Sequence, residues 1–81
     1  MMDRIQIEQT VLAVLAAILK CQFHDRADIT RQNTASWDSL KHIEIMFALE
    51  DELDVEFSED ELVTLDSVAK IVDAVLSKHA A

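Results

Sequence analysis

Asp38, Ser39 and His42 are the residues whose types and spacing could do chemistry, within "WDSLKHIEIMFALEDEL" from Trp37 to Leu53. One reading is hydrolytic, with Ser39 as nucleophile, His42 as base and Asp38 as orienter. It is weak. Adjacent Asp38 and Ser39 are poorly placed for a relay, and a chain without glycine has no Gly-rich turn to build an oxyanion hole. A hydroxyl at a helix start has another use. If Ser39 carried a phosphodiester, the unpaired N–H groups and the positive dipole end would favour that anion. The plainest alternative is that Asp38 or Ser39 is an ordinary N-cap accepting a backbone N–H.

Other residues offer less. His24 and His79 read as solvent-facing, and three scattered histidines with a lone cysteine predict no metal site. "DELDVEFSEDE", Asp51 to Glu61, is acidic enough to suggest calcium. An EF-hand loop needs a sharp-turn glycine and oxygen ligands at alternate positions, which Val55 and Phe57 interrupt. A solvated acidic edge is the better account.

These residues must be positioned by elements whose boundaries come from periodicity and caps, because Gly and Pro are both absent. A first helix is expected over about 3–20. Ile5, Val11, Leu12, Leu15, Ile18 and Leu19 recur at helical spacing, Asp3 can cap the start, and Lys20 suits the C-terminal dipole. Residues 22–37 lose the pattern and read as a long ordered loop pinned by Phe23, Ile29 and Trp37. A second helix follows over about 39–53. "SEDE", Ser58 to Glu61, matches a capping box and predicts a short helix over 58–63. Asp66 or Ser67 can cap a last helix over 67–78, with Val68, Ile71, Val72, Val75 and Leu76 facing inward. Nothing alternates with period two, so the expected fold is all-α, a small bundle of three main helices and one short one. Its 81 residues predict a single domain.

The second helix is more apolar than such a bundle can hide. Ile45, Met46, Leu49 and Leu53 cluster on one side as core. Leu40, Ile43 and Phe47 form a second stripe, so that the apolar arc spans about 220°. A helix on a small bundle buries an arc of somewhat over 100°. Glu44 and Asp51 lie beside the second stripe, with Glu50 and Asp54 on its other flank. An apolar strip rimmed by acids has the build of a docking surface. Alternatively, the 22–37 loop folds over the stripe and buries it.

Sixteen acids against seven bases give a formal net charge of −9. That disfavours nucleic acid and anionic membrane surfaces as partners, and attracts basic protein patches. The apolar run "VLAVLAAIL" is too short to span a bilayer, and no signal-peptide pattern is visible. Cys21 can form no internal disulfide and reads as a small, partly buried side chain in a reducing cytoplasm.

"DSLKHIEIMFALEDELDVEFSEDEL" followed by "LDSVAKIVDAV" resembles the acyl carrier protein family of phosphopantetheine-attachment domains. The family pattern opens a helix with Asp-Ser-Leu, here Asp38, Ser39 and Leu40, and places a Glu five residues after the serine, here Glu44. It closes the helix with Ala-Leu-Glu-(Glu/Asp)-Glu, here Ala48 to Glu52. The resemblance runs without gaps from Asp38 to about Leu76.

It implies that residues 1–81 form one carrier domain and that Ser39, beside Asp38, is esterified with 4′-phosphopantetheine from coenzyme A. A phosphopantetheinyl transferase would load the arm, and an acyl- or aminoacyl-activating ligase would charge its thiol as a thioester. Downstream synthases or transferases would receive the cargo, and the domain itself, a monomer, would catalyse nothing. Leu40, Lys41, Ile43, Glu44, Phe47 and Asp51 would meet these partners, while Ile45, Met46 and Leu49 would line any acyl cavity. Trp37 stands where fatty-acid-type carriers often have glycine, and Lys41 and His42 put one certain and one possible positive charge where acidic or small polar residues are frequent. These departures suit a specialised stand-alone carrier, of polyketide, nonribosomal peptide, modified-sugar or similar pathways, over housekeeping fatty-acid synthesis. The competing expectation is a helical adaptor that binds a protein through the Leu40, Ile43 and Phe47 stripe with no prosthetic group.

Overall fold

The computed structural model describes residues 3–20, 29–32 and 34–80. They form four helices: α1 (Arg4–Leu19), α2 (Ser39–Leu53), α3 (Glu59–Thr64) and α4 (Val68–Ala80). The architecture is the small all-α bundle of three main helices and one short one. No helix among the described residues is long and apolar enough to cross a membrane.

Each helix start is closed by a polar side chain. Asp3 accepts from the Gln6 N–H while the Gln6 side chain accepts from the Asp3 N–H, a reciprocal capping box. Ser58 and Glu61 build the same device at α3. At α4 the Ser67 hydroxyl accepts from the Lys70 N–H, which decides between Ser67 and Asp66 as its cap.

Helix ends are more unusual. Lys20 and Asp54 both take left-handed backbone, at φ 57° and 52°. Glycine usually fills such positions, because a Cβ crowds the carbonyl there. A chain with no glycine must place ordinary residues in them, at some cost in strain.

The core joins Ile7, Val11, Leu12, Leu15 and Leu19 of α1 to Ile45, Met46, Leu49 and Leu53 of α2 and to Val68, Ile71, Val72 and Val75 of α4. α1 packs against both α2 and α4. Ile7, not Ile5, begins the inward face of α1: Ile5 is exposed and Ile18 half-buried. The 7, 11, 15 spacing of four keeps one helix face aimed at the core, and Ile5 lies off that line. Leu76 of α4 is half-buried at the edge.

Between α1 and α2, Ile29 and Trp37 are buried as anchors; Cys21, Phe23 and His24 lie outside the described residues. Residues 29–31 tie to the start of α4. The Val68 N–H donates to the Ile29 carbonyl at 2.9 Å and the Arg31 N–H to the Asp66 carbonyl at 2.8 Å. An isolated antiparallel bridge pairs Thr30 with Ser67. This short clasp fixes where the chain approaches the start of α2.

α3 has six residues, none of them buried. Such a helix is too short to persist on its own hydrogen bonds. It is held by tethers: Lys78 of α4 bonds Glu61 at 2.7 Å, and His42 of α2 reaches the Leu62 carbonyl at 2.6 Å.

Candidate functional site

Ser39 is the first residue of α2, and Asp38 is its N-cap. The Asp38 carboxylate accepts from the Lys41 N–H at 2.9 Å. Because the aspartate takes the capping role, the serine hydroxyl is left free of the backbone. It is exposed to solvent. Its partner is Arg31, whose Nη2 donates to the Ser39 Oγ at 2.8 Å while Nε donates to the Trp37 carbonyl at 3.3 Å. Arg31, Gln32, Trp37, Asp38, Ser39 and Asp66 line a shallow surface pocket of about 390 Å³ around this hydroxyl.

Sequence reasoning missed Arg31. It sits eight residues before Ser39 in a stretch with no periodicity, and no local spacing links the two. The turn bonds from the Thr34 N–H to the Arg31 carbonyl and from the Trp37 N–H to the Thr34 carbonyl fold it back. Among the described residues no carboxylate pairs with Arg31. Neighbouring Asp66 is already engaged, by Lys70 Nζ at 3.0 Å and Gln32 Nε2 at 3.1 Å. Those bonds, Lys70 first, hold the Asp66 carboxyl below the usual carboxylate range.

His42 is not beside the hydroxyl. It is buried, and its ring stacks on Trp37 with centroids 5.9 Å apart. The Trp37 indole N–H donates to His42 Nδ1 at 3.0 Å. An indole nitrogen only donates, so Nδ1 accepts, and Nε2 carries the proton given to the Leu62 carbonyl. Both ring nitrogens are occupied. The weak hydrolytic alternative, with His42 as base, therefore has no geometry to support it, and His42 offers no exposed charge beside Lys41. The reason is packing: the large apolar Trp37 needs cover, and the imidazole supplies it together with a hydrogen-bond acceptor.

His79 also departs from expectation. It is half-buried, with Nε2 3.2 Å from the Leu53 carbonyl at the end of α2. Last-turn carbonyls lack intrahelical partners, and both histidines satisfy one in a neighbouring helix. Among the described residues no cluster of His, Cys, Asp or Glu could hold a metal ion.

Along α2 the two apolar groups separate. Ile45, Met46, Leu49 and Leu53 are buried. Leu40, Ile43 and Phe47 are 69%, 41% and 56% exposed. The alternative in which the 22–37 loop seals this stripe is thereby corrected for its described part: residues 29–31 clasp the start of α4, and the stripe on the outer face of α2 stays exposed. Glu44 and Asp51 flank the stripe in solvent, and Lys41 lies 3.7 Å from Glu44. Glu50, expected as a rim acid, instead turns inward and accepts the Phe57 N–H at 2.8 Å.

A four-helix bundle with a free serine opening its second helix, beside a cation and an open apolar stripe, has the build of a prosthetic-group carrier. The sequence matches the phosphopantetheine attachment site family over residues 9–75, and the chain belongs to that family. It is a domain of covalent 4′-phosphopantetheine attachment, of the acyl carrier protein type. No curated protein matches the sequence. Domains of this family serve phosphopantetheinyl transferases and the enzymes of biosynthetic pathways.

The residues present fit such a group. The Ser39 Oγ is exposed, is not needed as a cap and lies beside a guanidinium.

Proposed function

We propose that Ser39 is the attachment residue and that the domain carries an acyl or aminoacyl group for partner enzymes without catalysis of its own. The observation that carries this reading is the division of labour at the start of α2, where Asp38 caps and Ser39 Oγ, not needed by the helix backbone, is exposed beside Arg31. When bound, the arm supplies a terminal thiol that holds the cargo as a thioester. Ser39 contributes the oxygen to which a transferase would join the 4′-phosphopantetheinyl group of coenzyme A: the Oγ–P bond forms, the pyrophosphate P–O bond breaks, adenosine 3′,5′-bisphosphate leaves and the hydroxyl proton is released.

The outer face of α2 does the rest. Leu40, Ile43 and Phe47 offer apolar contact, while Asp38, Glu44 and Asp51 offer charge to basic residues of the transferase, a ligase and later synthases or transferases. Lys41 adds a cation that selects among them. A carrier must release each enzyme quickly, and a small, charge-rimmed patch gives fast encounter with weak holding. Trp37 and His42, set where fatty-acid-type carriers differ, support a dedicated pathway over general fatty-acid synthesis, and the lone cysteine suits a reducing cytoplasmic setting.

The test is to incubate the protein with coenzyme A and a broad-specificity phosphopantetheinyl transferase and to follow intact mass. One arm should be added, peptide mapping should place it on Ser39, and Ser39→Ala should stay unmodified. An unmodified wild type, or a Ser39→Ala variant loaded equally well, would overturn the reading and favour an adaptor without a prosthetic group.

A further inference from the structure

Arg31 is a cation with no carboxylate partner among the described residues, held against the one oxygen that the family chemistry would esterify. Three bonds position it: its backbone N–H to the Asp66 carbonyl, its Nε to the Trp37 carbonyl and its Nη2 to the Ser39 Oγ. The competing acid in the same pocket, Asp66, is occupied by Lys70 and Gln32, and Asp38 is occupied by its own helix. The guanidinium is thus directed at Ser39 by design of the surrounding loop.

We propose that Arg31 is the phosphate-holding residue of this carrier, pairing with the phosphodiester once Ser39 is modified and so fixing the root of the arm over the pocket. This rests on Ser39 being the attachment residue. An Oγ ester keeps its oxygen in place and adds a phosphorus one bond further out, whose two non-bridging oxygens share one negative charge. A planar guanidinium already 2.8 Å from Oγ has a second N–H with which to meet them. Lysine, a flexible point charge, could not hold the Trp37 carbonyl and the phosphate together.

The experiment compares unmodified and loaded forms of wild type, Arg31→Gln and Arg31→Lys, with intact mass confirming loading and peptide mapping its position. Thermal unfolding and the phosphorus NMR resonance of the phosphodiester are the readouts. Loading should raise the wild-type melting temperature by roughly 2–4 °C relative to the change seen in Arg31→Gln, the size of a partly exposed ion pair in a domain this small. The gain should shrink at high salt, and Arg31→Lys should recover only part of it. The phosphorus shift should differ between wild type and Arg31→Gln. If every variant is loaded on Ser39 but the loading-induced melting shift and the phosphorus resonance are the same in all three, Arg31 does not hold the phosphate, while the attachment reading stands. If wild type is not modified on Ser39, the attachment reading falls and this proposal with it.

Discussion

The Trp37 indole N–H donates to Nδ1 of His42 at 3.0 Å, making a buried aromatic–imidazole pair that continues through Nε2 to the Leu62 carbonyl. A tryptophan just before the site, a histidine in α2 and a backbone group in α3 are thereby joined in one chain of polar contacts. Since α3 has no fully buried residue and only Leu62 packs partly against the core, this chain adds to the Lys78–Glu61 pair in keeping it docked.

His42→Ala should therefore destabilise the fold by about 2–4 kcal/mol, through a cavity, an orphaned indole N–H and an orphaned carbonyl. Trp37→Phe keeps most of the apolar volume and should cost less, about 1–2 kcal/mol. The double variant should lose less than the sum, because each change removes the same bond. Urea unfolding of the three variants measures this; strict additivity would show that the bond contributes nothing.

Lys20 bears a side chain in left-handed backbone. Lys20→Gly should stabilise by about 0.5–1 kcal/mol, the relief of crowding exceeding the added freedom of the unfolded chain. Lys20→Val should destabilise, since a β-branched residue tolerates this region worst. Thermal unfolding reads both, and a glycine variant that melts lower would contradict the strain argument.

Acid should weaken the fold through two carboxylates. Glu61 is held below its ordinary value of 4.5, first by the Lys78 hydrogen bond and then by the Ser58 backbone N–H. Asp66 is held below 3.8 by Lys70 and then Gln32. A carboxyl with a lowered folded pKa binds fewer protons than its unfolded counterpart, so its stabilisation is present above the unfolded value. It is lost as pH falls through the folded one. Stability should accordingly hold near neutrality and decline below about pH 4.5. Lys78→Gln should reduce the Glu61 share of that decline, and unfolding midpoints across pH 7 to 3 would reveal it.

The two faces of α2 should respond differently to truncation. Leu40→Ser and Phe47→Ser act on exposed side chains and should change stability by no more than about 0.5 kcal/mol. They should raise the KM of the transferase for the carrier. Ile45→Ala lies in the core and should cost about 2–4 kcal/mol. Normal transferase kinetics in both outer-face variants would remove the stripe from partner contact.

The helices and their starts were legible because they are local. Periodicity of three and four residues marks which side chains share a face, and a cap acts within one turn, so Asp3 as a cap and the Ser58–Glu61 box could be read directly, while the Gln6 partner of Asp3 came from the structure. The Asp38–Ser39–Leu40 start was legible for the same reason, as was the excess apolar arc of α2. Periodicity did not distinguish Ile5 from Ile7, since both lie near the edge of one stripe and only contact with α4 and α2 selects between them.

What the sequence by itself determined is therefore the set of helices, the serine at the head of α2 and the apolar surplus beside it. Only the tertiary structure decided that residues 29–31 clasp the start of α4 while that surplus stays exposed. It alone buried His42 against Trp37 and brought Arg31 to the Ser39 hydroxyl. These are contacts between segments with no common helical register, made by how the chain closes on itself, and no spacing within either segment encodes them.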